Sequence, residues 1–141
     1  MRALSRFQAE ALGLLRIVAG LLFMQHGVQK LFGWLDGNQA ELFSRIGLAG
    51  ALETFGGLLI AVGLFTQPVA FVLSGEMAFA YFLAHLPQGI WPILNGGELA
   101  ALYAFIFLYL ATAGPGRFSL DGVLHRKRSD FGRPGRDRLP D

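Results

Sequence analysis

The sequence predicts an all-α integral membrane protein, a bundle of four transmembrane helices with both termini in the cytoplasm. Three observations predict this class. The chain of 141 residues is 53% hydrophobic and only 16% charged, whereas soluble domains carry roughly 25% charged residues. Its apolar residues form four stretches, and a bilayer core of about 30 Å takes a helix of about 20 such residues. Seven of the 12 Lys and Arg residues follow Gly114, in a polar tail.

The four apolar stretches define the predicted spans, at about residues 11–32, 46–65, 68–86 and 96–113. The turn before the third span contains Pro68, which is tolerated at the start of a helix but not in its interior. The fourth span ends at a Gly-Pro-Gly sequence, which stops a helix. The spans and their loops form one predicted domain, residues 1–116. A soluble helical domain is disfavoured, because every helix would expose a large apolar surface.

The distribution of positive charge predicts the orientation. Arg2 and Arg6 precede the first span, and a basic segment follows the last, whereas the loop after the first span carries only Arg45. Cytoplasmic segments of membrane proteins are enriched in Lys and Arg. Residues 117–141 are therefore a predicted basic cytoplasmic tail, disordered from about Ser129 because of its polar, Pro- and Gly-rich composition.

Ionisable residues inside the spans are candidates for function, because a charge in the bilayer costs several kcal/mol unless it is paired or hydrated. The alternating direction of the spans assigns each residue a depth, and most of them fall at the outer end of the bundle. The predicted catalytic residues there are His26, Glu53, His85 and Glu98. The predicted substrate-binding residues are Lys30, Trp91 and Asn95.

Arg16 and Glu76 fall together toward the inner side of the predicted bundle. They are opposite in sign and matched in depth, so we interpret them as a structural ion pair between the first and third spans. Breaking a buried pair of this kind costs about 3–5 kcal/mol, because one charge is left without a partner.

The chemistry of the outer residues leaves several alternatives. They can form a polar network that closes the bundle, hold a metal ion, relay protons, or donate hydrogen bonds to the carbonyls of a quinone. Lys30 disfavours a metal, since a cation repels a cation, and fits a quinone or an anionic substrate better. We therefore predict no metal site. The chain has no cysteine, which excludes thiolate metal sites and any thiol relay within the chain.

Four sequence motifs resemble the DoxX family of membrane proteins, and the resemblance covers about residues 12–122. These motifs are HGVQKLFG from His26, ETFGGLLIAVGLFT from Glu53, NGGE from Asn95 and GPGRFSLDG from Gly114. The resemblance implies a small four-helix protein of the bacterial inner membrane. The family is similar to the membrane subunit of a thiosulfate:quinone oxidoreductase, which implies a quinone substrate and soluble redox or sulfur-transfer partner proteins.

Two functional hypotheses follow. In the first, the protein is a redox-associated membrane component that binds a quinone, or a small sulfur anion, at the outer polar residues; as an enzyme, it is a subunit of a quinone-linked oxidoreductase. In the second, it is a non-catalytic scaffold or small-molecule carrier with a structural polar cluster. The aromatic residues of the third and fourth spans are compatible with a homodimer. The sequence has no nucleotide-binding glycine fingerprint, and we predict no nucleic-acid partner.

Overall fold

The computed structural model of the protein describes residues 2–131, in which every regular element is a helix. We number these helices α1 to α7 in chain order. Their bounds are Arg2–Ser5 (α1), Gln8–Phe32 (α2), Arg45–Val62 (α3), Thr66–Gln88 (α4), Pro92–Asn95 (α5), Glu98–Ala113 (α6) and Leu120–Phe131 (α7).

Helices α2, α3 and α4 are long and apolar enough to cross a membrane, and α6 is a shorter apolar helix. The predicted spans begin and end within three residues of these helices. The difference between the predicted and observed ends of the second span has a clear cause. Gly63 adopts the left-handed conformation that ends α3, with a φ of 72°, so this helix stops three residues before the predicted end of the second span.

The long helices pack as two antiparallel pairs, α2 with α3 and α4 with α6. Glycines allow the first pair to approach closely. A Cβ on Gly20 would lie 2.6 Å from the backbone nitrogen of Ala61, and one on Gly57 would lie 2.7 Å from that of Met24. Backbone contact of this kind is typical of membrane helices, whose interfaces are enriched in small residues.

The two pairs meet around a single apolar core. It is formed by Phe23 of α2, Ile60 of α3, Leu73 of α4 and Phe107 of α6, each at most 1% exposed. Outside this core, large apolar side chains cover the surface on every long helix. A soluble protein rarely exposes so much apolar surface. The fold is therefore a membrane helical bundle.

The N-terminal and C-terminal parts of the described chain meet at one end of the bundle. The backbone N–H of Arg117 donates to the carbonyl oxygen of Ala9 at 3.0 Å, and the Arg117 guanidinium forms an ion pair with Glu10. We call this the terminal end, and the opposite end, which carries the α2–α3 and α4–α5 loops, the distal end. Contacts with the bundle thus continue beyond residue 116, the predicted domain boundary. The predicted disorder from Ser129 falls largely outside the described residues.

Candidate functional site

The predicted ion pair between Arg16 and Glu76 does not form. The Arg16 side chain is fully buried, and within residues 2–131 it donates only to carbonyl oxygens. Two of these belong to Ile60 and Ala61, at 2.5 and 2.6 Å. The others belong to the C-terminal segment, at Pro115, Arg117 and Phe118, with distances of 2.8, 3.4 and 2.8 Å.

Helix geometry explains this correction. Side chains on a helix lean toward its N-terminus, so Arg16 of α2 reaches toward the terminal end. The last carbonyls of α3 lie there, and they carry the negative end of the helix dipole. Glu76, the eleventh of the 23 residues of α4, lies instead at mid-depth. Arg16 is therefore an anchor that joins α2, α3 and the C-terminal segment.

Asp121 completes this anchor from the C-terminal segment. Its carboxylate accepts from the backbone N–H groups of Phe65 and Thr66, both at 2.9 Å, and so caps α4. Burial acts to raise the pKa of Asp121, but these hydrogen bonds outweigh it and hold the pKa below its ordinary value. The negative charge of Asp121 also interacts with the buried Arg16.

Lys30 and Glu53 form an ion pair between α2 and α3. The distance from Nζ to Oε1 is 2.5 Å. Glu53 is only 2% exposed, whereas the Lys30 side chain is 34% exposed. Glu53 is the ninth of the 18 residues of α3, so the pair lies halfway along this helix. The second carboxylate oxygen of Glu53 is buried and accepts no hydrogen bond within residues 2–131.

Glu76 lies in the same electrostatic environment. It interacts with the charges of Glu53 and Lys30, and both of its carboxylate oxygens are buried with no hydrogen-bond partner in the described part of the chain. When all three groups ionise, two carboxylates and one ammonium leave one uncompensated negative charge. Such a charge is costly inside a membrane, so the site favours a group that supplies a proton or a hydrogen-bond donor.

Two further side chains of α2 and α6 adjoin these charges. His26 is half-buried and interacts electrostatically with Glu53. The ring of Tyr103 meets His26 edge-on, with 6.4 Å between ring centroids. We name Lys30, Glu53, Glu76, His26 and Tyr103 the interior cluster. Tyr103 was missed in the sequence because its hydroxyl lies within an aromatic-rich apolar helix; its four-residue spacing from Phe107, on which it stacks, is the available signal.

His85 and Asn95 lie apart from the interior cluster, at the distal end. His85 Nδ1 lies 3.0 Å from the carbonyl oxygen of Asn95. The Asn95 side chain is buried, and both its nitrogen and its oxygen form hydrogen bonds. It donates to the carbonyl of Gly89 at 2.7 Å and accepts from the N–H of Gly97 at 2.8 Å. Asn95 therefore holds the loop before α6 in place.

Trp91 and Glu98 also lie at the distal end, and both are exposed. Glu98 is in the first turn of α6, where a negative charge interacts favourably with the helix dipole. The structure thus divides the predicted outer group into two parts. It brings His26, Lys30 and Glu53 together, adds Glu76 to them, and leaves the four distal residues at the end of the bundle.

Each of these two groups includes a residue that lies in an irregular turn of its helix. A π-helical turn of α3 spans Leu52–Gly56 and contains Glu53, and another in α4 spans Tyr81–His85 and ends at His85. Single π turns within α-helices occur frequently at functional sites, because they rotate a side chain away from the regular helical face. The candidate site residues Glu53 and His85 therefore stand where the backbone departs from regular helix.

Within residues 2–131, no group of three or more His, Cys, Asp or Glu side chains is arranged to hold a metal ion. What the interior cluster offers is a set of buried oxygens and one ammonium group. The oxygens can bind protons or accept hydrogen bonds from a polar group that enters from the bilayer, and the ammonium group can donate hydrogen bonds to it.

Comparison with known proteins agrees with this architecture. The chain is 40% identical to an uncharacterized protein of Haemophilus influenzae, over 90% of this chain and all of the relative. It is 29% identical to a Bacillus subtilis protein named "Putative oxidoreductase CatD", over 83% of this chain and 89% of the relative. It is 30% identical to the inner membrane protein YqjF of Escherichia coli, over 79% of this chain and 90% of the relative.

No solved structure matches the chain. The sequence pattern of the DoxX family matches residues 11–86, which contain α3, most of α2 and α4, and four of the five residues of the interior cluster. These similarities confirm the resemblance inferred from the motifs, and the chain belongs to the DoxX family.

Proposed function

We propose that this protein is a redox-associated membrane protein that exchanges protons with a quinone at the interior cluster. The observation that carries the proposal is the set of buried carboxylate oxygens of Glu53 and Glu76 that lack hydrogen-bond partners among the described residues. Buried polar groups in native proteins are nearly always hydrogen-bonded. An exception inside a membrane bundle indicates a site whose partner is a transferable proton or a ligand.

The roles of the residues follow from their contacts. Glu53 and Glu76 hold the exchangeable proton, and Lys30 fixes the orientation of Glu53 through their 2.5 Å ion pair. His26, beside Glu53, relays protons, because an imidazole can both accept and donate a proton. A quinone supplies the electron-accepting chemistry and takes up one proton with each electron. The electrons come from a small sulfur anion or a soluble redox partner protein.

Two relatives support the redox assignment and the location. The name of the Bacillus subtilis relative describes an oxidoreductase, and that of the Escherichia coli relative an inner membrane protein. We accordingly place the chain in the bacterial inner membrane as a multi-pass protein. Its terminal end faces the cytoplasm, because the basic segment after α6 follows the positive-inside rule.

Infrared difference spectroscopy tests the proposal directly. The purified protein is reconstituted in lipid nanodiscs with a quinone, and spectra are compared before and after electrochemical reduction of that quinone. We expect a change in the carboxyl C=O band that is lost in Glu53→Gln and altered in Glu76→Gln. Glu41→Gln, in the exposed α2–α3 loop, is the matched control and keeps the band. A spectrum without any carboxyl change, or the same change in Glu53→Gln, contradicts the proposal.

A non-catalytic scaffold or small-molecule carrier is the second candidate, and the Lys30–Glu53 ion pair favours it. This pair joins two adjacent helices, which is what a structural contact does. If the pair is structural alone, Glu53→Gln lowers the yield of folded protein and any membrane activity in the same proportion, because it leaves the Lys30 charge without a partner. Under our proposal, activity falls far more than yield.

A further inference from the structure

An apolar groove runs between α4 and α6 on the outer surface of the bundle. Its volume is about 400 Å³, within the range of small-molecule sites. Small side chains form one part of its lining and aromatic rings another. The small residues are Ser74, Ala78, Ala101 and Ala104, and the aromatic ones are Tyr81, Phe82 and Phe105.

Along its small-residue wall, the groove has no free hydrogen-bond donor among the described residues. Ser74 is the polar residue there, and its hydroxyl already donates to the carbonyl oxygen of Ala104 at 2.8 Å. Because the outer surface of the bundle faces the bilayer, the occupant of the groove comes from the lipid phase. The part of this occupant that lies within the groove is an apolar chain.

A polar group lies at the distal end of this groove. The ring of Tyr81, which lines the groove, stacks on the ring of His85, with 6.4 Å between centroids. His85 Nδ1 contacts a carbonyl oxygen, which can only accept, so Nδ1 carries the hydrogen. Nε2 makes no hydrogen bond within the described residues. It accepts from a hydroxyl when the imidazole is neutral, and donates to a carbonyl when the imidazole is protonated.

The charges at this end favour an uncharged head group. Residues 86–97 contain no charged side chain, and the next residue, Glu98, is acidic. A phospholipid would bring a phosphate to a segment without Lys or Arg, next to the acidic residue Glu98. A quinone ring carries carbonyls but no charge, and its polyprenyl tail is an apolar chain.

Resting on the function proposed above, we infer that the groove is a quinone-binding site on the bilayer-facing surface, separate from the interior cluster. It binds the tail of a membrane quinone, with the ring at Tyr81 and the ring carbonyl or hydroxyl at His85 Nε2. The ligand thereby enters from the bilayer with its tail along α4 and α6. Its ring reaches the π-helical turn of α4 rather than the exposed surface at Trp91.

Binding of two quinones that share a ring tests this inference. The protein in nanodiscs is titrated with decylubiquinone and with the same benzoquinone ring lacking the tail. Ala101→Phe and, as a second variant, Ala78→Phe fill the groove. The matched control is Ala84→Phe, at an exposed position of α4 outside the groove. Each variant is first compared with the unmodified protein by thermal unfolding.

We expect both groove variants to weaken binding of decylubiquinone about tenfold or more, because the tail loses its apolar contacts. Binding of the tail-less ring changes little in them, and Ala84→Phe binds both quinones as the unmodified protein does. His85→Ala weakens binding of both quinones. Unchanged decylubiquinone binding in the groove variants overturns the inference and leaves the proposed function standing.

Other outcomes are equally informative. Failure of the unmodified protein to bind either quinone overturns the inference and the proposed function together. If Ala101→Phe instead dissociates a dimer or releases a co-purified phospholipid, with quinone binding unchanged, the groove holds that other occupant and the inference is wrong.

Discussion

Arg16 connects three segments of the chain at the terminal end of the bundle. Its guanidinium donates to carbonyl oxygens of α3 and of the C-terminal segment, and the carboxylate of Asp121 lies close enough to interact with its charge. Because the partners are carbonyls, no single acidic residue is responsible for holding the charge. A planar guanidinium with five N–H donors suits this arrangement, whereas an ammonium group has three.

We therefore predict that Arg16→Lys destabilises the protein by about 3 kcal/mol or more, since buried carbonyls are left without donors. The matched control is Arg45→Lys, at an exposed residue, which changes stability by at most about 0.5 kcal/mol. Thermal unfolding of the purified proteins in one detergent measures both. Equal stability of the two variants contradicts the anchor role of Arg16.

Counting residues along the predicted helices places Lys30 and Glu53 at a similar depth, and the structure has them in contact. The partner of Arg16 could not be anticipated in the same way. Depth and sign favour Glu76, but the length of the side chain and its lean toward the helix N-terminus direct it to carbonyl groups. Carbonyls belong to every residue and leave no signal in the sequence.

At the scale of helices, the close approach of α2 and α3 depends on glycines of both. Gly20 and Gly27 of α2 are seven residues apart, as are Gly50 and Gly57 of α3, a spacing that predicts a packing face on each helix. The structure has these two faces against each other. The π-helical turns at Leu52–Gly56 and Tyr81–His85 were not predictable, because they add one residue to a turn without changing the apolar composition. Their effect on the site is large, since each rotates a candidate residue.

A pair of Gly→Ala substitutions tests the close approach of α2 and α3. A Cβ at Gly20 would lie 2.6 Å from a backbone nitrogen of α3, whereas a Cβ at Gly75 of α4 has no neighbour within 4 Å. We predict that Gly20→Ala destabilises the bundle by about 1–3 kcal/mol through overpacking. Gly75→Ala is neutral or stabilises by up to about 1 kcal/mol, because alanine favours the helix.

Unfolding of both variants in the same detergent measures these changes, and only Gly20→Ala is expected to lower the stability. A neutral Gly20→Ala contradicts the close approach of the two helices. A destabilising Gly75→Ala would instead show that this face of α4 packs against something in the membrane.

On the scale of the whole molecule, the chain is polarised along its long axis. The terminal end is closed by the Arg16 anchor and by the contact of Arg117 with α2. The middle contains the interior cluster, and the distal end contains the loop held by Asn95. The described terminal segments meet at one end, as an even number of spans requires. The side of the membrane on which they lie stays a prediction from the positive-inside rule.

The absence of cysteine from the natural sequence makes this orientation directly measurable. Single cysteines are introduced at His125 of α7 and at Asn38 of the α2–α3 loop, both exposed and at opposite ends of the bundle. We predict that a membrane-impermeant maleimide labels Asn38→Cys in intact cells and labels His125→Cys only after the membrane is opened. The unmodified protein, which has no thiol, controls for background. The reverse pattern would place the basic segment outside and remove the basis for the proposed orientation, whereas labelling of both cysteines in intact cells would contradict a four-span bundle.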